Sequence, residues 1–433
     1  MVQSLQRDVL QTLGTRIIAA LSMIVAEICV SRMLGPDGRG SFALFLSSLA
    51  QIEPLCSMGF PIALIHVVAC GTYPPSLMAG WAVLGGLVQG LIGCAFFYVL
   101  AVVIQPGFLD GLSPLAPLWM FLCLPCFLIS QHLGNVILGL RDPRLYNAFF
   151  VLQRAIFCLL AFGLYWSGQG TVDRVVGLYS LSMVPGVVVG IVYTYKKVGF
   201  SFHFRGSGQA MKDLYQSGVV AQFSNIFARF ALWSDTFIVN GFLGANQLGY
   251  YSIAKTAAQV IFHIPFSVGR VLLPRVSHDP QQRSPESTAR VCRILMTIQI
   301  VVGILVGVAA SVVIGVFLPK FLPAIPVLFI LLPGTIGYGV FQVLELDVFG
   351  RKKSLLSAAF NALLLTLTLL GNLCLIPILG LYGGACGTTL AYLCAGMVLV
   401  KIYGALYKVS PWSLLLPERI RFSELRDRFL GRQ

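Results

Sequence analysis

The stretch Leu214–Leu243, LYQSGVVAQFSNIFARFALWSDTFIVNGFL, decides how the whole chain is read. It is apolar enough, and longer than the roughly 20 residues a helix needs, to cross a bilayer. Yet Gly218, Gln222, Asn225, Arg229, Trp233, Thr236 and Asn240 recur at steps of three or four, so at 3.6 residues per turn they share one face. Arg229 falls near the middle, where a charge facing lipid costs at least roughly 2.5 kcal/mol. A stripe of that kind is expected to face a partner helix or a water-filled space that meets polar cargo. Asp235, six positions on, points about 120° away and is not an i,i+4 partner for Arg229.

Outward from this helix, the bulk numbers point the same way. The 433 residues are 57% hydrophobic and only 11% charged, with mean hydropathy +0.85, which exceeds what a soluble core requires and suits a polytopic membrane protein. Lys and Arg number 30 against 16 Asp and Glu. Most of that surplus falls in short loops and the tail, where the positive-inside rule accounts for it, and no basic–aromatic nucleic-acid module is present. The 11 Cys are scattered through apolar runs. Cys123 and Cys126 form a CxxC, but inside LWMFLCLPCFLIS, where a helix-core reading outweighs metal or redox chemistry. The first apolar run is too long for a cleavable signal peptide and no small-residue cleavage site follows it.

Taken in order, an interfacial lead-in at 1–11 precedes twelve expected helices. They span about 12–33, 41–69, 77–104, 115–139, 145–166, 172–195, 214–243, 247–274, 291–318, 324–349, 354–376 and 381–407, with boundaries good to a few residues. The organisation is therefore all-α: a six-helix bundle at 1–195, a cytoplasmic linker at 196–213, a second six-helix bundle at 214–407, and a basic amphipathic tail at 408–433 suited to an anionic leaflet. Thirteen loop cations lie on one side and four on the other, Arg32, Arg39, Arg174 and Lys320, which places both termini in the cytoplasm.

The halves echo one another. LGPDGRGSF from Leu34 matches LGANQLGYY from Leu243, an offset of 209 (243 − 34), and Arg141 matches Arg351 at 210 (351 − 141). Gly177 and Gly186 match Gly387 and Gly396 at the same 210 (387 − 177). A constant register at three places makes a repeat, and six helices per half give it parallel orientation, with cargo expected between the halves.

Embedded ionisable groups mark pathways, and they concentrate in helices 1, 2, 7 and 8. Arg16 and Glu27 lie on helix 1, Glu53 with His66 on helix 2, Arg229 and Asp235 on helix 7, and Lys255, His263 and Arg270 on helix 8, where Gln259 continues the same stripe. Helix 5 adds Asn147, Arg154 and Cys158 in line. Glu345 and Asp347 lie within two turns of Arg351–Lys353 and read as interfacial ion pairs. Arg229, Lys255 and Arg154 are cations of the kind that bind phosphate. With Arg16, Asn225, Gln222 and Gln259 they form the candidate substrate-binding set. Glu27, Glu53 and Asp235 are the candidate ion-coupling set, paired with the cations when no cargo is bound.

Arg32–Gln51 with its repeat Leu243–Gln259, and Gly350–Lys352, resemble the polysaccharide transporter (O-antigen flippase) family of the multidrug/oligosaccharidyl-lipid/polysaccharide exporter superfamily. The resemblance covers essentially the whole chain. It implies alternating access between two bundles in the bacterial inner membrane, moving an undecaprenyl-diphosphate-linked oligosaccharide from the cytoplasmic leaflet to the other side. It also implies a central cavity lined by helices 1, 2, 7 and 8. Expected partners are membrane lipids, the lipid-linked substrate, a coupling proton or sodium ion, and glycan-assembly proteins. No cofactor is expected, and no GxxxxGK[ST] motif for ATP occurs. Two readings compete. A multidrug cation exporter of the same superfamily would want carboxylates to outweigh bases. A membrane glycan polymerase or glycosyltransferase would want a sizeable extramembrane loop with an acid pair or metal-ligand spacing.

Overall fold

The computed structural model describes residues 2–140, 142–202, 207–266, 268, 285–351 and 353–415. Among them the chain is helical, without strands. Helices α1 (Val2–Ser57), α2 (Phe60–Cys70), α3 (Pro75–Tyr98), α4 (Ala116–Gly139), α5 (Pro143–Ser167), α6 (Val172–Leu181) and α7 (Met183–Val198) come first. They are followed by α8 (Ser207–Gln259), α9 (Pro285–Phe317), α10 (Ala324–Gly350), α11 (Ser354–Leu379), α12 (Leu381–Tyr407) and the short α13 (Trp412–Leu415). Among the described residues, seven segments are long and apolar enough to cross a membrane, from Pro75–Ile104 to Leu381–Tyr407. The protein is a multi-pass membrane protein.

The expected stop at LGPDGRG is a sharp turn inside α1: Gly35 has φ 65 and ψ −175. Its repeat partner Gly244 turns α8 with φ 78 and ψ 174, in the same register of 209 (244 − 35). A positive φ with extended ψ is open to Gly at little steric cost, and Pro36, with no N–H to lose, opens the helix that follows. Two expectations are corrected. The helix at 41–69 is broken, because Met58 (φ 44) and Gly59 (φ 83) leave the right-handed region and Pro61 restarts the chain as α2. The helix at 247–274 is interrupted by a 3₁₀ turn at Val260–Phe262, after which residues 263–266 are α-helical again.

The chain divides into two compact units, Met1–Arg229 with Gly244–Gly249, and Phe230–Leu243 with Tyr250–Gln433. In the first, α3 and α2 pack on α4, and α5 packs along α1. Phe42, Phe45, Met120 and Phe157 form one buried core with the half-buried Tyr179 packed against it, and Phe60, Leu64, Met78 and Leu133 form another. Cys123 is buried in the first of these. In the second unit α12 packs on both α10 and α11, around Phe262, Tyr338, Phe341, Tyr392 and Tyr403. The tail beyond residue 415 lies outside the described residues.

Candidate functional site

The two Gly turns place charge. A straight helix rises about 1.5 Å per residue, so groups twelve or twenty residues apart cannot meet unless the chain reverses. Across Gly35, Arg39 Nε lies 2.5 Å from Glu27 Oε1. Across Gly244, Lys255 Nζ lies 2.5 Å from Asp235 Oδ1. Each turn thus returns a cation to an acid on the preceding segment.

In the second unit Asp235 is wholly buried. Besides Lys255, it accepts from Tyr251 Oη at 2.7 Å and from the Thr236 backbone N–H at 2.8 Å. Lys255 Nζ also donates to Thr236 Oγ1 at 3.2 Å and stands 4.9 Å from the centre of the Trp233 ring. Tyr251 Oη and Asn372 Nδ2 each lie 3.2 Å from Thr388 Oγ1. Beside this network is a small recess of about 10 Å³, room for about one water molecule, whose wall includes Asp235, Lys255, Gln259, Thr335, Thr388 and Tyr392. Burying an ion pair is tolerated only when further hydrogen bonds satisfy it, and here a tyrosine, a threonine and a backbone N–H do so.

In the first unit a separate polar cluster forms where α1 ends. The break at Met58 leaves the Pro54 carbonyl without its helical partner, and Gln222 Nε2 donates to it. The same amide lies 3.4 Å from Ser57 Oγ, and Asn225 Nδ2 lies 3.5 Å from Gln222 Oε1. Glu53, 4% exposed, is hydrogen-bonded to Ser57 and Gln131 and within the electrostatic reach of Arg229. Gln222, Asn225 and Arg229 are i, i+3 and i+7 on one helix, as the stripe demands.

The candidate residues therefore fall into groups. Asp235, Lys255 and Gln259 share the recess; Glu53, Gln222, Asn225 and Arg229 share the α1 cluster. Glu27 is held by Arg39, a residue counted above as a loop cation but only 2% exposed. Arg154 is half-buried on α5 near Tyr179. The side chains of Arg16, His66, Asn147 and Arg270 lie outside the described residues. Asp347 pairs with Arg351, at 2.7 Å, and Glu345 accepts from Ser357 and Asn361.

Sequence reasoning missed Tyr251, Thr388, Asn372 and Gln131. Tyr251 was findable, since it precedes Lys255 by one helical turn and so shares its face. The others come from distant helices and carry no local signal.

A family model described as polysaccharide biosynthesis protein matches residues 5–278. A putative O-antigen transporter of Shigella flexneri is 24% identical over 161 residues, 36% of this chain and 37% of that one; the aligned part thus spans little more than a third of that relative. Among solved structures, the lipid II flippase MurJ in an inward closed conformation superposes with TM-score 0.68 at 13% identity, covering 90% of this chain and 87% of that one. An inward-facing multidrug resistance transporter of the MATE family, in the MOP superfamily, gives 0.67 at 15% identity, covering 93% and 99%. The chain has that fold, and it belongs to the polysaccharide biosynthesis protein family.

Proposed function

We propose that the protein is a flippase that carries undecaprenyl-diphosphate-linked oligosaccharide units across the cytoplasmic membrane by alternating access, coupled to an ion. The observation that carries this reading is the Lys255 amine, held on the wall of a recess by a single carboxylate. Such an amine serves a phosphate once its carboxylate is protonated or turned to another cation. Asp235 is then the coupling group and Lys255 a cargo contact, with Gln259 beside it; Arg229, Arg154 and Arg16 supply further positive charge and Gln222 and Asn225 hydrogen bonds. Glu27 and Glu53 hold Arg39 and Arg229 when no cargo is present. The family, the relative named an O-antigen transporter and the fold neighbour named a lipid II flippase support a lipid-linked glycan as cargo.

The test is transfer of a fluorescent undecaprenyl-diphosphate oligosaccharide between leaflets of proteoliposomes holding the full chain, with and without a proton or sodium gradient. Wild-type protein is expected to move the lipid and the Lys255→Met variant to lose most of that rate. Wild-type vesicles that leave the lipid in place but expel cationic dyes would replace this reading with drug export.

A further inference from the structure

A second basic centre lies where two spans of the second unit end. The spans Ala324–Gly350 and Leu381–Tyr407 stop at the residues next to Arg351 and Lys408, so this end of the unit sits at headgroup depth. Two cations converge there on one aromatic ring. Arg351 Cζ is 4.8 Å, and Lys353 Nζ 5.1 Å, from the centre of the Tyr407 ring.

Among the described residues, a carboxylate balances only one of these charges. Arg351 Nε donates to Asp347 Oδ2 at 2.7 Å, and Asp347, wholly buried, is held by Tyr403 Oη at 2.7 Å and Thr288 Oγ1 at 3.0 Å. The guanidinium is thereby fixed in place before any ligand arrives. Lys353 is exposed and makes no ion pair with a carboxylate among the described residues. Lys408, exposed at the end of α12, adds a third cation to the same end. Like charges brought onto one ring repel, and an anion between them turns that cost into attraction.

We propose that Arg351, Lys353 and Tyr407 form a binding site for the phosphate of an anionic membrane lipid, on the leaflet that faces the cytoplasm. Phosphate suits the pair because arginine presents a planar fork and lysine a mobile point charge. A lipid, rather than a soluble phosphate, suits the surroundings. Leu355 is 76% exposed two residues beyond Lys353, so apolar surface for acyl chains adjoins that cation, and Trp412, five residues past Tyr407, is 70% exposed at the start of α13. Tyr407 and Trp412 are the residue types that favour the membrane–water boundary. The loop-charge count places this end inside, where anionic lipids make basic residues worth most.

The experiment uses the full chain, delipidated in detergent and titrated with phosphatidylglycerol, phosphatidylcholine or inorganic pyrophosphate, with bound species counted by native mass spectrometry. Wild type is expected to retain phosphatidylglycerol over phosphatidylcholine. Lys353→Gln is expected to weaken phosphatidylglycerol about five-fold, as one basic residue near an anionic surface should, while Lys353→Arg keeps it. Tyr407→Leu, which removes the ring and leaves the charges, is expected to weaken it as well. Equal retention of both lipids, or no change in either Lys353→Gln or Tyr407→Leu, would overturn the site. Pyrophosphate binding without phosphatidylglycerol binding would overturn the lipid assignment.

Discussion

Gly40 and Gly249 occupy equivalent places in the repeat, 209 residues apart (249 − 40), and each lies against the backbone of the other's turn. A Cβ on Gly40 would stand 1.9 Å from the Ala245 carbonyl oxygen, and one on Gly249 2.0 Å from the Pro36 carbonyl oxygen. Ala245 and Pro36 are themselves partners at 209 (245 − 36). The contact is reciprocal in the way a two-fold relation requires, and it tolerates no side chain at either glycine.

Gly40→Ala and Gly249→Ala are therefore each expected to destabilise the protein by about 1–3 kcal/mol, the usual cost of forcing atoms into a packed site. Gly315→Ala, where a Cβ would meet nothing within 4 Å, is expected to be neutral or stabilising by up to about 1 kcal/mol. Thermal unfolding in detergent compares the three.

Asp235→Asn leaves the Lys255 amine buried without its counter-charge, a change that costs about 3–5 kcal/mol when a buried pair loses one partner. Adding Lys255→Met removes the stranded charge, so the double variant is expected to recover much of the stability but not the transport. A double variant no more stable than Asp235→Asn would show that the pair is not the unit inferred here.

Arg229→Ala is expected to abolish surface glycan while protein level stays near normal, because Arg229 is half-buried beside Glu53. Glycan on gels and protein on immunoblots are the two readouts. Full glycan in that variant removes Arg229 from the mechanism.

Asp142 gives a pH prediction outside the spans. Partial burial raises its pKa, but the hydrogen bonds from Lys197, Tyr193 and the Leu145 N–H outweigh it and leave the carboxyl below its ordinary value. A depressed folded pKa gives stability that is present above the ordinary carboxylate range and lost as pH falls through the folded value. Asp142→Asn keeps part of the helix cap but loses the charge, so it is expected to cost up to about 1 kcal/mol at neutral pH, in the range of single caps and exposed ion pairs. That difference should hold down to about pH 5 and shrink below about pH 4. Melting temperatures of both proteins across that range check it.

Much of the architecture was legible because bilayer chemistry is one-dimensional. Apolar length reveals spans, and Gly–Pro pairs reveal turns such as Gly35. The break at Met58–Gly59 was hidden by the continuous apolar character of residues on both sides. Arg39 read as a loop charge because the Gly–Pro signal marks a turn at Gly35 but not that the turn carries this side chain back to Glu27.

By itself, the amino-acid order determined that this chain spans a membrane as a helical repeat and carries a polar stripe from Gln222 to Asn240. Helical period and the cost of charge in lipid act within one segment, and so can be read from one segment. Only the tertiary structure decided that Asp235 answers to Lys255 and Tyr251, with Thr388 beyond. Chain reversal at Gly244 and the packing of α12 set those partners, and short-range pattern does not encode contacts across 20 or 137 residues.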